Sequence, residues 1–317
     1  MNDRPVLLVD ALNFFTRHYV VNPSMSETGN QVGGLVGFLK GVRYLADRIE
    51  PKQIFVIWEG GGSARRRAIY KDYKQGRRPQ KLNRYYENDI PDTVENRNYQ
   101  IATCIELLNH TPAGQIYVSD CEADDVIGYL ARNRFQNDHC VIASSDRDYY
   151  QLISEKMLQW SPGQKRFITR ELVKEKYGVT VENFCTARCF IGDPSDGLPG
   201  IKGAGFKTLV KRFPELGDEE FASVDDILKM SMEKSQGSKL KLFQEINQNH
   251  DIAKRNWRLM FLDIRNLSAA HIEKINCAID TFTPNRDKIG FMRILLRESI
   301  KTFDADSFFT SLNSVVR

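Results

Sequence analysis

Four short apolar runs, each closing on an acid or leading straight to one, constrain this chain more than any other feature. PVLLVD covers residues 5–10, QIFVIWE 53–59, QIYVS 115–119 and CVIAS 140–144. Unbroken apolar runs of this length read as strands buried on both faces, the habit of parallel sheets. Between them the spacing turns helical. Leu35, Val36, Leu39, Val42, Leu45 and Ile49 recur through 33–49, and 95–109 is again amphipathic. Strands alternating with helices predict an α/β fold with a mainly parallel sheet. Beyond about residue 175 the strand signal fades and the chain reads mostly helical. This predicts a core over 1–177 and a helical region over 178–317, with 233–241 (EKSQGSKLK) as the best candidate for a mobile connection.

The acids fall where such a sheet would gather them. Asp10 ends the first run and Glu59 the second. Glu122, Asp124 and Asp125 follow the third and open a helix. Asp146 and Asp148 follow the fourth. Loops after the carboxyl ends of parallel strands line one edge, where ligands bind. Each acid alone has a plain reading, since Asp and Glu commonly cap helices or sit in turns. Their joint arrival at one rim has none, because like charges repel unless a cation sits among them. Dense carboxylate oxygens select hard divalent cations, and two ions about 4 Å apart serve in-line attack on a phosphodiester. Further on, FIGDPSDGLPGIKGAGFKTLVKRF (190–213) places Asp193 and Asp196 three apart, before a glycine-rich turn and a lysine-bearing helix. Glycines let a backbone approach a phosphate closely.

Net charge is only +4, but the signs are segregated. Residues 65–84 carry nine basic side chains and one acid, Asp72, with Tyr70, Tyr73, Tyr85 and Tyr86 in or beside the run. Cations grip phosphates and tyrosines stack on unpaired bases, which fits a basic arch on a single strand. Lys74 and Arg77 lie one helical turn apart, placed to steer a scissile phosphate. The six cysteines form no CxxC, and the five histidines show no metal spacing, so reduced structural thiols are expected. No apolar run is long enough for a membrane span and the N-terminus reads as a strand, so a cytoplasmic protein is expected (host cytoplasm if viral).

These pieces resemble one known family, the flap endonuclease or 5′→3′ exonuclease superfamily. VDALN (9–13), FVIWEGG (55–61), YKDYKQGRR (70–78), EADD (122–125), SSDRD (144–148) and GDPSDGLPGIKGAG (192–205) occur in the family's order. QWSP (159–162) and NWRLMFLDI (256–264) are similar to the RNase H-type 5′ nucleases of tailed phages. The resemblance implies a SAF or PIN-like core, a helical arch over about 62–95 and a helix–three-turn–helix over about 185–215. It implies Asp10, Glu122, Asp124, Asp125 and Asp146 around a first Mg²⁺ (Mn²⁺ as substitute). Asp148, Asp193 and Asp196 would serve a second, and a K⁺ ion would sit near Gly200–Gly205. The family usually has Asp where this chain has Glu59, which is expected still to serve the first ion. Lys71, Lys74 and Arg77 match the arch motif. Arg78 and Tyr73 would contact DNA, as would Gly200, Lys202, Gly203, Gly205 and Lys207. Tyr73, Phe14 or Phe15 would stack the terminal base. The implied task is cutting 5′ ends, flaps and RNA–DNA primer junctions in replication, as a monomer. Two rivals stay open: a DNA-binding relative with weakened catalysis, for which Glu59 speaks, and a PIN-type ribonuclease. The tail DSFFTSL (306–312) is either a partner-docking motif, for a single-strand-binding protein or sliding clamp, or a helix packed on the core.

Overall fold

The computed structural model describes residues 4–61, 64–75 and 94–316. Its centre is a six-stranded sheet in the order β3-β2-β1-β4-β5-β6. β1 (Val6–Asp10) lies between β2 (Gln53–Trp58) and β4 (Cys140–Ala143), with β3 (Gly114–Tyr117) and β5 (Met157–Ser161) outside them. These five run parallel, and β6 (Arg166–Ile168) closes the edge antiparallel to β5. All four expected strands are present. β5 and β6 were not legible, because their polar residues break both the apolar run and the alternation.

The parallel core follows from its side chains. Leu7 and Val9 point into one apolar layer, Val6 and Leu8 into the other, and all four are fully buried. The first layer holds α1 (Ala11–Val21), α2 (Gly33–Ile49) and α4 (Val94–Leu108); α3 (Ala64–Ile69) stands outside it at the foot of the basic segment. The second layer holds α5 (Ala123–Tyr129).

Past β6, α6 (Arg170–Tyr177), α7 (Val181–Ile191), α8 (Phe206–Arg212), α9 (Val224–Gln236), α10 (Lys241–Gln248) and α11 (His250–Met260) follow; α7 to α11 share a third apolar cluster. Within 233–241, α9 ends at Gln236 and α10 begins at Lys241, so the connection between them is the four residues 237–240. The chain then returns to the sheet. α12 (Ala269–Asp280) packs in the second layer, and α13 (Lys288–Arg297) and α14 (Ala305–Ser311) in the first. Phe308 and Phe309 are buried there, which supports the reading of the DSFFTSL tail as a helix packed on the core. Among the described residues no helix is long and apolar enough to cross a membrane.

Candidate metal centre and arch foot

The carboxyl ends of the strands do bring the acids together. Asp10 ends β1 and caps α1, accepting from the Asn13 amide at 3.3 Å. Its Oδ2 accepts from the Ser144 hydroxyl at 2.9 Å and lies 3.2 Å from the Tyr149 hydroxyl. The same Tyr149 oxygen is 2.7 Å from Asp124 Oδ1. Ser144 Oγ also accepts the Asp146 amide at 3.0 Å, and Asp146 Oδ1 accepts the Asp148 amide at 2.9 Å. Glu59 follows β2 and takes the Ala123 amide at 3.4 Å. It is brought there by Gly60, whose backbone pairs with Cys121 and Asp120; a Cβ at Gly60 would overlap the Val118 carbonyl.

Burial and crowding set the electrostatics. Burial first, then Asp124 and Asp146, raise the Asp10 carboxyl far above the usual range. Burial and Asp124 raise Asp146 as well. Glu59 is pushed up to about 7 by burial, Asp124 and Glu122. Asp148 is raised by burial and Asp146. These are hard oxygen donors that disfavour each other's charge, a donor set that suits divalent cations. Among the described residues no three of them form a ready-made metal cage. Protein cations and hydroxyls space them instead.

Three cations do most of this. Arg66, on α3, grips Asp125 with two N–H groups at 2.6 and 2.8 Å and Glu122 with one at 3.0 Å. Its Nε donates to the Leu259 carbonyl at the end of α11, at 2.9 Å. Lys74 Nζ reaches Glu122 at 2.7 Å, and the Lys74 amide donates to the Asp196 carbonyl at 2.9 Å. Burial alone would raise Glu122, yet Arg66 and Lys74 bring it below its ordinary value. Arg188, on α7, joins Asp148 at 3.1 Å to Asp193, which also accepts both the amide and the hydroxyl of Ser195.

Several expected roles change. Asp125 was expected at the first ion, but both its oxygens are taken by Arg66, and Oδ1 also by Asn266 at 2.8 Å. Tyr73 cannot stack a base here. It is 4% exposed, packs in the third cluster and donates its hydroxyl to Glu122 at 3.1 Å. Phe14 and Phe15 are likewise buried core. Lys71 is exposed on the turn after α3, while Arg77 and Arg78 lie outside the described residues.

The 190–205 segment forms a tight crossing between α7 and α8. The Ile201 amide donates to the Phe190 carbonyl at 2.7 Å, and a Cβ at Gly200 would overlap the Ile191 carbonyl. Gly203 adopts φ +83°, a conformation glycine takes without strain. Lys202 and Lys207 are exposed, and Gly205 has open space around it. Sequence reasoning missed Arg66, Tyr149, Ser144 and Arg188 as individuals. Arg66 is indistinguishable from Arg65 and Arg67 in a basic run. Arg188 did leave a signal, a lone charge in the apolar stretch before Asp193.

The model of the 5′-3′ exonuclease N-terminal resolvase-like domain matches residues 5–178, more than half of the chain. The chain belongs to the 5′-3′ exonuclease family. It is similar to the thermostable DNA polymerase I of Thermus thermophilus, 33% identical over 217 residues, 68% of this chain and 24% of that protein. This 5′-3′ exonuclease family member thus spans about a quarter of that relative's length. A 5′-3′ exonuclease of Aquifex aeolicus is 31% identical over 228 residues, 71% of this chain and 73% of that one. In fold the chain is similar to the T5 D15 protein crystallised with metal ions. There the TM-score is 0.65 at 19% identity, covering 93% of this chain and 100% of that one.

Proposed function

We propose that this chain is a structure-specific 5′ nuclease, a metal-dependent phosphodiesterase. It would cut DNA flaps and 5′ ends, and remove RNA primers at RNA–DNA junctions, as a cytoplasmic monomer. The carrying observation is that acids from four strand ends meet at one sheet edge beside the basic residues of 64–75. Named 5′-3′ exonucleases among the relatives support the reading.

Asp10, Glu59, Glu122, Asp124 and Asp146 would hold a first Mg²⁺, with Mn²⁺ as a substitute, and Asp148, Asp193 and Asp196 a second. When bound, the ions supply Lewis acidity for activating water and stabilising the leaving 3′ oxygen. Asp125 acts through Arg66, which fixes the register of α5. Lys74 faces the acids and, with Lys71 and Arg77, would orient the scissile phosphate. Lys202 and Lys207, with Gly200, Gly203, Gly205 and a K⁺ held by backbone carbonyls, would grip the duplex backbone, and Arg78 the single strand. Chemistry would thus reside in 1–177 and duplex grip in 178–317.

The test uses labelled 5′-flap, nicked and RNA-primed duplexes with Mg²⁺, Mn²⁺ or EDTA. Metal-dependent release of 5′-phosphate products is expected. Binding without cleavage would favour the weakened nuclease, and cleavage of folded RNA alone the PIN-type ribonuclease.

A further inference from the structure

The rim acids are not all held in the same way. Arg66 and Lys74 hold Glu122, Arg66 holds Asp125, and Arg188 holds Asp148 and Asp193. Between Asp10 and Asp124 stands a phenol. Tyr149 Oη lies 2.7 Å from Asp124 Oδ1 and 3.2 Å from Asp10 Oδ2, and the ring is 0% exposed. Ser144 supplies the other hydroxyl contact to Asp10 Oδ2, at 2.9 Å.

We infer that Tyr149 is a positioning residue of the first ion site, whose hydroxyl sets the spacing and the cation affinity of Asp10 and Asp124. The inference rests on the nuclease reading above. A buried tyrosine needs a single acceptor to satisfy its hydroxyl. This one stands between carboxylates from two different strand ends, where its one proton occupies a lone pair that a cation would use, on Asp124 at the shorter distance. The ring cannot swing aside. Its side chain packs among the second-layer residues, and the turn that carries it is pinned by Gln151. The Gln151 amide donates to the carbonyls of Asp148 (2.8 Å) and Met260 (3.0 Å) and accepts from the Leu262 amide (3.0 Å). The hydroxyl therefore stabilises the paired acids without metal and competes with the ion when metal is added.

The experiment is calorimetric titration of the full chain with Mn²⁺, without nucleic acid, beside thermal unfolding in EDTA. Tyr149→Phe keeps the ring and removes the oxygen. In EDTA its Tm should fall, while its tighter Mn²⁺ site should bind on the order of tenfold more strongly, the worth of one hydrogen bond to a charged group. Adding Asp124→Asn should shrink the Tm effect of Tyr149→Phe in EDTA, since the hydroxyl then loses its nearer carboxylate. An unchanged or weaker Mn²⁺ affinity in folded Tyr149→Phe overturns the inference. Absence of Mn²⁺ binding in the unmodified protein would instead sink the two-ion reading itself.

Discussion

Arg66 and Asp125 form a two-bond ion pair with each residue 5% exposed, and it ties the foot of the basic segment to the helix that opens with the acids. Burial still lifts the Asp125 carboxyl above its ordinary range despite the guanidinium, so the pair positions more than it stabilises. Removing one partner strands the other. Asp125→Ala should therefore cost about 3–5 kcal/mol in urea unfolding. Arg66→Lys, with Asp125 in place, should cost part of that amount, because an ammonium cannot make both bonds. Asp124→Ala removes a repelling charge and should change metal-free stability by no more than about 1 kcal/mol, yet abolish Mn²⁺ binding. If Asp125→Ala folds normally and loses Mn²⁺ instead, Asp125 is a ligand after all.

Glu59 carries a pH prediction. Its carboxyl is pushed up to about 7 by burial, Asp124 and Glu122. For an acid with a raised folded pKa, the stability contribution is present below the unfolded value and lost as pH rises through the folded one. Asp10 and Asp146 act in the same direction. His18, lowered to about 4 by burial, opposes them only up to its ordinary value of 6.5. Metal-free protein should thus lose Tm between pH 6.5 and 8. Glu59→Gln should lose less, and Mg²⁺ should raise Tm more at pH 8 than at pH 6.5. A Tm profile rising with pH in EDTA would refute this.

Much of this was legible in the sequence, and the reasons are physical. A strand buried on both faces must be apolar throughout, so β1, β2, β3 and β4 announced themselves, and the acids after them fell on one edge by topology. What the sequence hid was pairing. Nothing in RRR (65–67) says that the middle guanidinium turns inward to Asp125, and nothing in SDRDYY says that Tyr149 bridges Asp10 and Asp124. Such contacts depend on how distant segments meet. Tyr73 misled because a tyrosine in a basic run reads as a stacking residue, whereas its ring completes an apolar cluster formed more than a hundred residues later.

The lysines of the α7–α8 crossing predict a salt signature. Lys202 and Lys207 are exposed, and each phosphate they neutralise should contribute about −0.9 to the slope of log affinity against log salt on duplex DNA. The double change Lys202→Ala and Lys207→Ala should weaken nicked-duplex binding at low salt and flatten that slope by nearly 2. Fluorescence anisotropy across a salt series reads both quantities. An unchanged slope would move the duplex to another surface.

Asn256 offers the sharpest separation of scaffold from chemistry. It is fully buried on α11, and its side-chain amide donates to the carbonyls of Cys189 at 2.9 Å and Pro199 at 3.0 Å, clamping both sides of the crossing. Asn256→Leu keeps the bulk and leaves both carbonyls without that donor, the buried one of Cys189 costing about 1–3 kcal/mol. The loss should be local. Amide exchange should accelerate in 190–205 and stay slow in β1 and β4, because the Asn256 amide donates to the crossing. Mn²⁺ should still bind to the acids at the strand ends, while duplex affinity should fall several-fold as the lysine-bearing turn loosens. Faster exchange throughout the sheet would show that the crossing and the metal centre fold as one unit.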